Sequence, residues 1–256
     1  MSVIDGSGAP AARRWWLRLR QAIAALWLAA ATAAAFAATP ADPRVPDTIA
    51  ERVRACTVCH GNEGRATSDG YYPRIAGKPA GYLFNQLVNF REGRRRNATM
   101  TYLVSNLPDA YLREIAGYFS NQHPPYSPPQ SVQVSAPVLA RGRLLATQGD
   151  ASRNIPACAA CHGEMLTGVA PAVPGLLGLP RDYLNSQFGA WRIGARHAAA
   201  PDCMAEVTRR LSVEDSSAVA AYLASRAVPA NAAPAIAQSR KPPFDCGSTA
   251  PSRGAP

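Results

Sequence analysis

The stretches RACTVCHGNEG (54–64) and PACAACHGEML (156–166) contain the same word, Cys-x-x-Cys-His-Gly, and that word decides how this chain is read. The two copies start 102 residues apart, and the likeness continues downstream. Pro73, Gly77, Tyr82, Leu83, Gln86, Arg91 and Gly93 recur as Pro174, Gly178, Tyr183, Leu184, Gln187, Arg192 and Gly194, all at an offset of 101. Phe90 is matched by Trp191, and Met100, Leu107, Ala116 and Tyr118 recur as Met204, Leu211, Ala220 and Tyr222 at an offset of 104. A nearly constant offset that slips only in loops means two copies of one domain.

The copies are divided by HPPYSPPQSVQVSAPV (123–138), whose crowded prolines exclude a helix and favour an extended connector. The expected organisation is an export signal over residues 1–37, a first domain over 38–123, a linker over 124–137, a second domain over 138–228 and a proline-rich tail over 229–256. The chain is alanine-rich and shows no sustained period-two alternation, so the expected fold class is all-α. Helices are expected at 47–56 and 138–148, running toward each motif. Amphipathic helices follow at 80–93 and 181–194, each stopped by a glycine. Further helices are expected at 108–122, with Pro108 in the first turn, and at 212–225, where Ser212 and Asp215 form a capping-box pattern.

Three chemistries use a Cys-x-x-Cys pair. Structural zinc needs four ligands, and each copy offers two thiols and one imidazole. A thioredoxin-like redox pair belongs between a strand and a helix and asks for no following histidine. Covalent heme attachment uses all three residues: both thiols add to the heme vinyl groups, and the adjacent histidine binds the iron. Two such words in a helical, exported chain point to two hemes c, held by Cys56 and Cys59 and by Cys158 and Cys161, with His60 and His162 on the irons. Size agrees. Each repeat has only about 80 residues, a length at which a core alone is marginal and a covalent staple is usual.

The second axial ligand has to come from elsewhere. Beyond His60 and His162 the chain has only His123 and His197, neither of which recurs in the other copy, and a solvated loop histidine is the plainer reading of both. Met100 lies 40 residues after His60 and Met204 lies 42 after His162, each ahead of the last helix of its repeat. A thioether is a soft, neutral ligand that raises the reduction potential of heme iron. Met165 has no counterpart and follows its motif too closely, so core packing is its expected role.

Taken together, Cys-x-x-Cys-His-Gly, then Pro-x-x-x-Gly, Tyr-Leu-x-x-Gln, an aromatic-Arg-x-Gly run, Met and a final helix, all twice over, resemble the diheme cytochrome c4 family. The resemblance covers residues 50–228 or so. It implies two tandem class I cytochrome c domains, packed so that their hemes exchange electrons rapidly. It also implies that Pro73 and Pro174 shape the loop whose backbone carbonyl orients the proximal histidine, which tunes the iron through its ligand. The family usually has Gln after the glycine of its Pro-x-x-x-Gly element. Here Lys78 and Leu179 stand in that place.

The motifs use four of the six cysteines. In an oxidising compartment the remaining two, Cys203 and Cys246, are expected to form a disulfide that pins the tail. The sharper alternative puts a Cys203 thiolate on the second iron, next to Met204. That would suit an enzyme oxidising sulfur compounds.

The N-terminus follows the layout of a secretory signal: a basic start, an apolar run over 22–38 and a small-x-small cut after Ala37. An uncleaved membrane anchor is the alternative. RRWWLR (13–18) also resembles a twin-arginine signal, but heme is added to a chain still open, which suits the general secretory route. The formal charge of +10 includes a net of +3 from residues 1–37, leaving +7 that is almost all arginine. An exported chain of this charge implies no nucleic acid, and suits acidic protein partners or loose association with an anionic membrane. Arg91, Arg94, Arg95 and Arg96 form either a solvated loop or a basic docking rim near a heme edge. The functional expectation is a periplasmic electron carrier rather than an enzyme, passing electrons from a respiratory complex or dehydrogenase to a terminal oxidase or reductase. A cytochrome subunit of a dehydrogenase complex is the alternative.

Overall fold

The computed structural model describes residues 15–16, 18–23, 46–236 and 242–249. Residues 15–16 and 18–23 are helical. The rest of the expected export signal, with its cut after Ala37, lies outside the described residues. No helix among the described residues is long and apolar enough to cross a membrane.

The described residues from Asp47 onward form one compact unit built on two similar helical halves. The first half contains α1 (Ile49–Arg52), α2 (Arg54–His60), α3 (Ala80–Arg91), α4 (Ala98–Val104) and α5 (Asp109–Ser120). The second contains α6 (Ala136–Thr147), α7 (Ala159–His162), α8 (Arg181–Arg192), α9 (Cys203–Arg210) and α10 (Val213–Ala224). The fold is mostly helical. The described strands, β1 (Gly168–Val169) and β2 (Val173–Pro174), pair antiparallel and only close a loop.

Each half packs its last helix on earlier ones. In the first, α5 lies on α3, and Val53, Leu83, Ile115, Ala116 and Phe119 form the core. Full burial of Phe119 contributes about 1.5–3 kcal/mol. In the second half, α10 packs on α6 and α8 around Leu145, Leu184, Val219 and Leu223. The alanines of α10 explain much of the composition. Ala218, Ala220, Ala221 and Ala224 are all buried, which lets neighbouring helices approach closely. At the α6 contact a Cβ on Gly142 would lie 2.1 Å from the Ala218 carbonyl oxygen, so only glycine fits.

The ends of these helices are set locally. Ser212 and Asp215 make the expected capping box at the start of α10. Asp215 also accepts from Arg141 on α6 at 2.9 Å and pairs with Arg153 at 2.7 Å, tying three segments together. Pro108 is the N-cap of α5 rather than a first-turn residue, as Pro79 and Pro180 are for α3 and α8. Before proline the chain is biased to extended conformations, so each of these helices begins just after one.

The connector has neither helix nor strand from 122 to 135. It is held at both ends. Arg74 donates to the carbonyls of Pro124 (2.5 Å) and Pro125 (3.1 Å) and stacks on the Tyr126 ring. Further on, the Gln130 backbone N–H donates to Ala224 and its side chain accepts from the Arg181 N–H.

Candidate functional site

Both motifs end helices. His60 is the last residue of α2 and His162 the last of α7, and both are buried. The following glycines, Gly61 and Gly163, have φ of +74° and +84°, a left-handed conformation that explains the fourth fixed letter of the motif. The chain then loops back to place a carbonyl on each imidazole. His60 Nδ1 donates to the Pro73 carbonyl at 2.9 Å, and His162 Nδ1 donates to the Pro174 carbonyl at 2.7 Å. Those bonds fix each ring and leave its Nε2 as the free ligand atom. Burial lowers the pKa of both imidazoles, which keeps them neutral and able to bind a metal. It also raises the thiols of Cys56 and Cys161, and pushes that of Cys158 up to about 12.

A single cavity of about 1370 Å³ joins the two halves. Its wall carries Cys56, Cys59, His60 and Met100 on one side. The repeat supplies Cys158, Cys161, His162 and Met204 on the other. Each methionine is on a short helix rather than in a loop. Asn97 caps α4 by accepting from the Met100 N–H, and Asp202 caps α9 by accepting from the Ala205 N–H. His123 and His197 are exposed and do not line the cavity.

Polar groups in the wall ask for an anion. Arg95 donates to Gln86, Tyr183 and Gln187, and Arg196 to Gln187, Tyr82 and Gln86, which are all neutral acceptors. Neither guanidinium has a carboxylate partner among the described residues. Burial would raise the Tyr183 phenol, but Arg95 and Arg196 outweigh it and lower its pKa. Trp191 Nε1 is a buried donor with no acceptor. A covalently held heme brings what this wall lacks: an apolar ring, carboxylate arms for the cations and the indole, and an iron for imidazole and thioether. The residues fit the group.

Known proteins agree with this geometry. No family model matches the chain. A thiosulfate dehydrogenase electron acceptor from Thiomonas intermedia is 35% identical over 172 residues, 67% of this chain and 78% of that protein. A cytochrome c4 from Pseudomonas aeruginosa is 31% identical over 175 residues, 67% of this chain and 84% of that one. The crystal structure of reduced cytochrome c4 from Pseudomonas stutzeri superposes with a TM-score of 0.59 at 27% identity, covering 68% of this chain and 94% of the other.

The chain belongs to the cytochrome c4 family. It is a class I cytochrome c fold twice over, and its cysteine pairs at 56/59 and 158/161 fit the covalent attachment of two hemes c. Members of this family are diheme electron carriers.

Of the arginines read as either a solvated loop or a docking rim, three are engaged, while the Arg96 side chain is exposed at the cavity wall. Arg91 pairs with Asp109 at 2.6 Å, Arg94 pairs with Glu92, and Arg95 turns into the interface between the halves. The backbone goes with it: Arg96 N–H donates to Ala195 and His197 N–H to Arg94. Met165, expected in the core, is 61% exposed, because its turn faces solvent after α7.

Sequence reading missed Arg95 with Arg196. They are repeat mates at the offset of 101 that already linked Arg91 to Arg192, so extending that alignment by four residues finds them. Cys203 and Cys246 are joined in a disulfide with Cα atoms 5.5 Å apart, and the tail beyond reaches the first half, where Asn85 Nδ2 donates to the Ser248 carbonyl at 2.9 Å.

Proposed function

We propose that this cytochrome is an exported, periplasmic carrier that takes single electrons from a dehydrogenase or respiratory complex and delivers them to a terminal oxidase or reductase. The observation that carries this is the presence of an imidazole and a thioether in each half of one shared cavity. Bound heme iron supplies the one-electron ferrous–ferric couple. His60 with Met100 and His162 with Met204 would ligate the irons, and Cys56, Cys59, Cys158 and Cys161 would be the thioether anchors. With both ligands in place an iron would have no open position for a substrate, which favours a carrier over an enzyme. Cys203 is engaged with Cys246, which supports Met204 over a thiolate at the second iron.

The donor is a sulfur-compound dehydrogenase. The Thiomonas relative, named as the electron acceptor of thiosulfate dehydrogenase, favours this over other dehydrogenases. Mixing the ferric holoprotein with a thiosulfate dehydrogenase and thiosulfate should reduce both hemes, and thiosulfate alone should reduce neither. Reduction by thiosulfate without the partner would instead make this chain the enzyme.

A further inference from the structure

Lys78 is a cation buried at the cavity wall where its repeat mate carries no charge. Its mate at the offset of 101 is Leu179, an apolar residue of the second core. Lys78 itself is 5% exposed, although it belongs to the first half. Its Nζ crosses the interface and donates to the Gly175 carbonyl at 2.8 Å. Gly175 directly follows Pro174, whose carbonyl holds His162. No carboxylate pairs with Lys78 among the described residues. Burying such an amine without a counter-charge is costly, and its hydrogen bond to the Gly175 carbonyl offsets part of that cost.

We propose that the Lys78 ammonium is an electrostatic bias on the second heme site, raising its reduction potential by opposing the extra positive charge of the ferric state. The charge is supplied by the first half and delivered to the loop that carries the proximal histidine of the second. Leu179 cannot return a charge to the first site. The nearby Arg74 is committed to the linker carbonyls and the Tyr126 ring. Lys78 therefore makes the two similar sites unequal and favours the second as the resting place of an electron. Its effect acts through charge, so this is a positioning role and not contact with a reacting atom. The inference rests on the two-heme carrier reading above.

The test is a spectroelectrochemical titration of the holoprotein at pH 6. That lies below the value of about 7 to which burial, and then Arg74, lowers the Lys78 amine. Met204→His assigns the second wave by moving it alone. A single unresolved wave would overturn the inequality proposed here, whereas two waves of which neither moves with that variant would count against the Met204 ligand reading on which it rests. Lys78→Gln keeps a donor for Gly175 but loses the charge, and Lys78→Arg keeps the charge. The expected result is a downward shift of the second wave in Lys78→Gln, larger than any shift of the first, with Lys78→Arg close to the parent. Equal behaviour of the two variants, an unmoved second wave, or a larger shift of the first would each overturn the assignment.

Discussion

Arg95 and Arg196 reach across the interface to the same two acceptors, the side-chain oxygens of Gln86 and Gln187. Their backbones also form an antiparallel bridge. As all four residues are repeat mates, the contact is pseudo-twofold: what one half gives, the other returns. Truncating either guanidinium removes one of the two donors that each amide oxygen accepts from. Arg196→Gln is expected to lower the stability of the holoprotein by about 1–3 kcal/mol, read as a fall in Tm. The double variant with Arg95→Gln should fall short of the sum of the singles, because neighbours in one network are not additive. Strict additivity in that cycle would show that the two arginines do not share a network.

The ligand assignment predicts that the two sites respond separately. Met100→Ala and Met204→Ala should each abolish one methionine-to-iron charge-transfer signal in the ferric protein and leave the other. Each should also lower one reduction potential, since the thioether is the ligand that raises it. A Met204→Ala protein that kept both signals would require another ligand at the second iron.

Much of this was legible in the sequence, for a physical reason. The proximal half of each site is a continuous word, because attachment, ligation and the turn after His60 and His162 are all local demands. That the loops of Pro73 and Pro174 carry the orienting carbonyls followed from the family resemblance, and the structure identifies the carbonyls as those of the prolines themselves. What was not legible is what depends on the halves meeting. Arg95 reads as one of four solvent-facing arginines until the second half supplies Tyr183 and Gln187. Lys78 reads as a departure from pattern until Gly175 arrives. Local sequence shows the period of a helix, but not which surface is covered by another domain. The short helices α4 and α9 escaped for a different reason: each is held by one cap, Asn97 or Asp202, over too few residues to show a period.

The bridge between Cys203 and Cys246 closes a separation of 43 residues. Loop-closure entropy puts its contribution at roughly 4 kcal/mol, less any native strain. Paired replacement, Cys203→Ser with Cys246→Ser, should lower Tm by several degrees. The tail lines the cavity beside Met204 through Phe244 and Cys246, so releasing it should also speed the binding of added imidazole at the second iron. The first iron serves as the internal control. An unchanged Tm would mean that the tail is held by its other contacts, such as Asn85 with Ser248.

Acid should unfold the second half through Asp215. Burial raises the pKa of this carboxyl, but Arg141 and Arg153 outweigh it and hold it below the usual range. Asp150 is lowered as well, by Ser152 first and then by the same two arginines. A carboxylate with a depressed folded-state pKa stabilises the fold at every pH above its unfolded value, near 4. That stabilisation is lost as pH falls through the folded-state value. Stability should therefore be flat in this contribution at neutral pH and decline below about pH 4. Asp215→Asn removes the charge and leaves a weaker cap for α10, at a cost of about 1–2 kcal/mol at pH 7. It should also flatten the acid limb, though not abolish it, because Asp150 remains. Denaturant midpoints of parent and variant from pH 7 to pH 3 provide the measurement. The two curves should converge as pH falls. Curves that stay parallel would mean that Asp215 acts as a cap alone and that its ion pairs with α6 and the Arg153 turn contribute nothing.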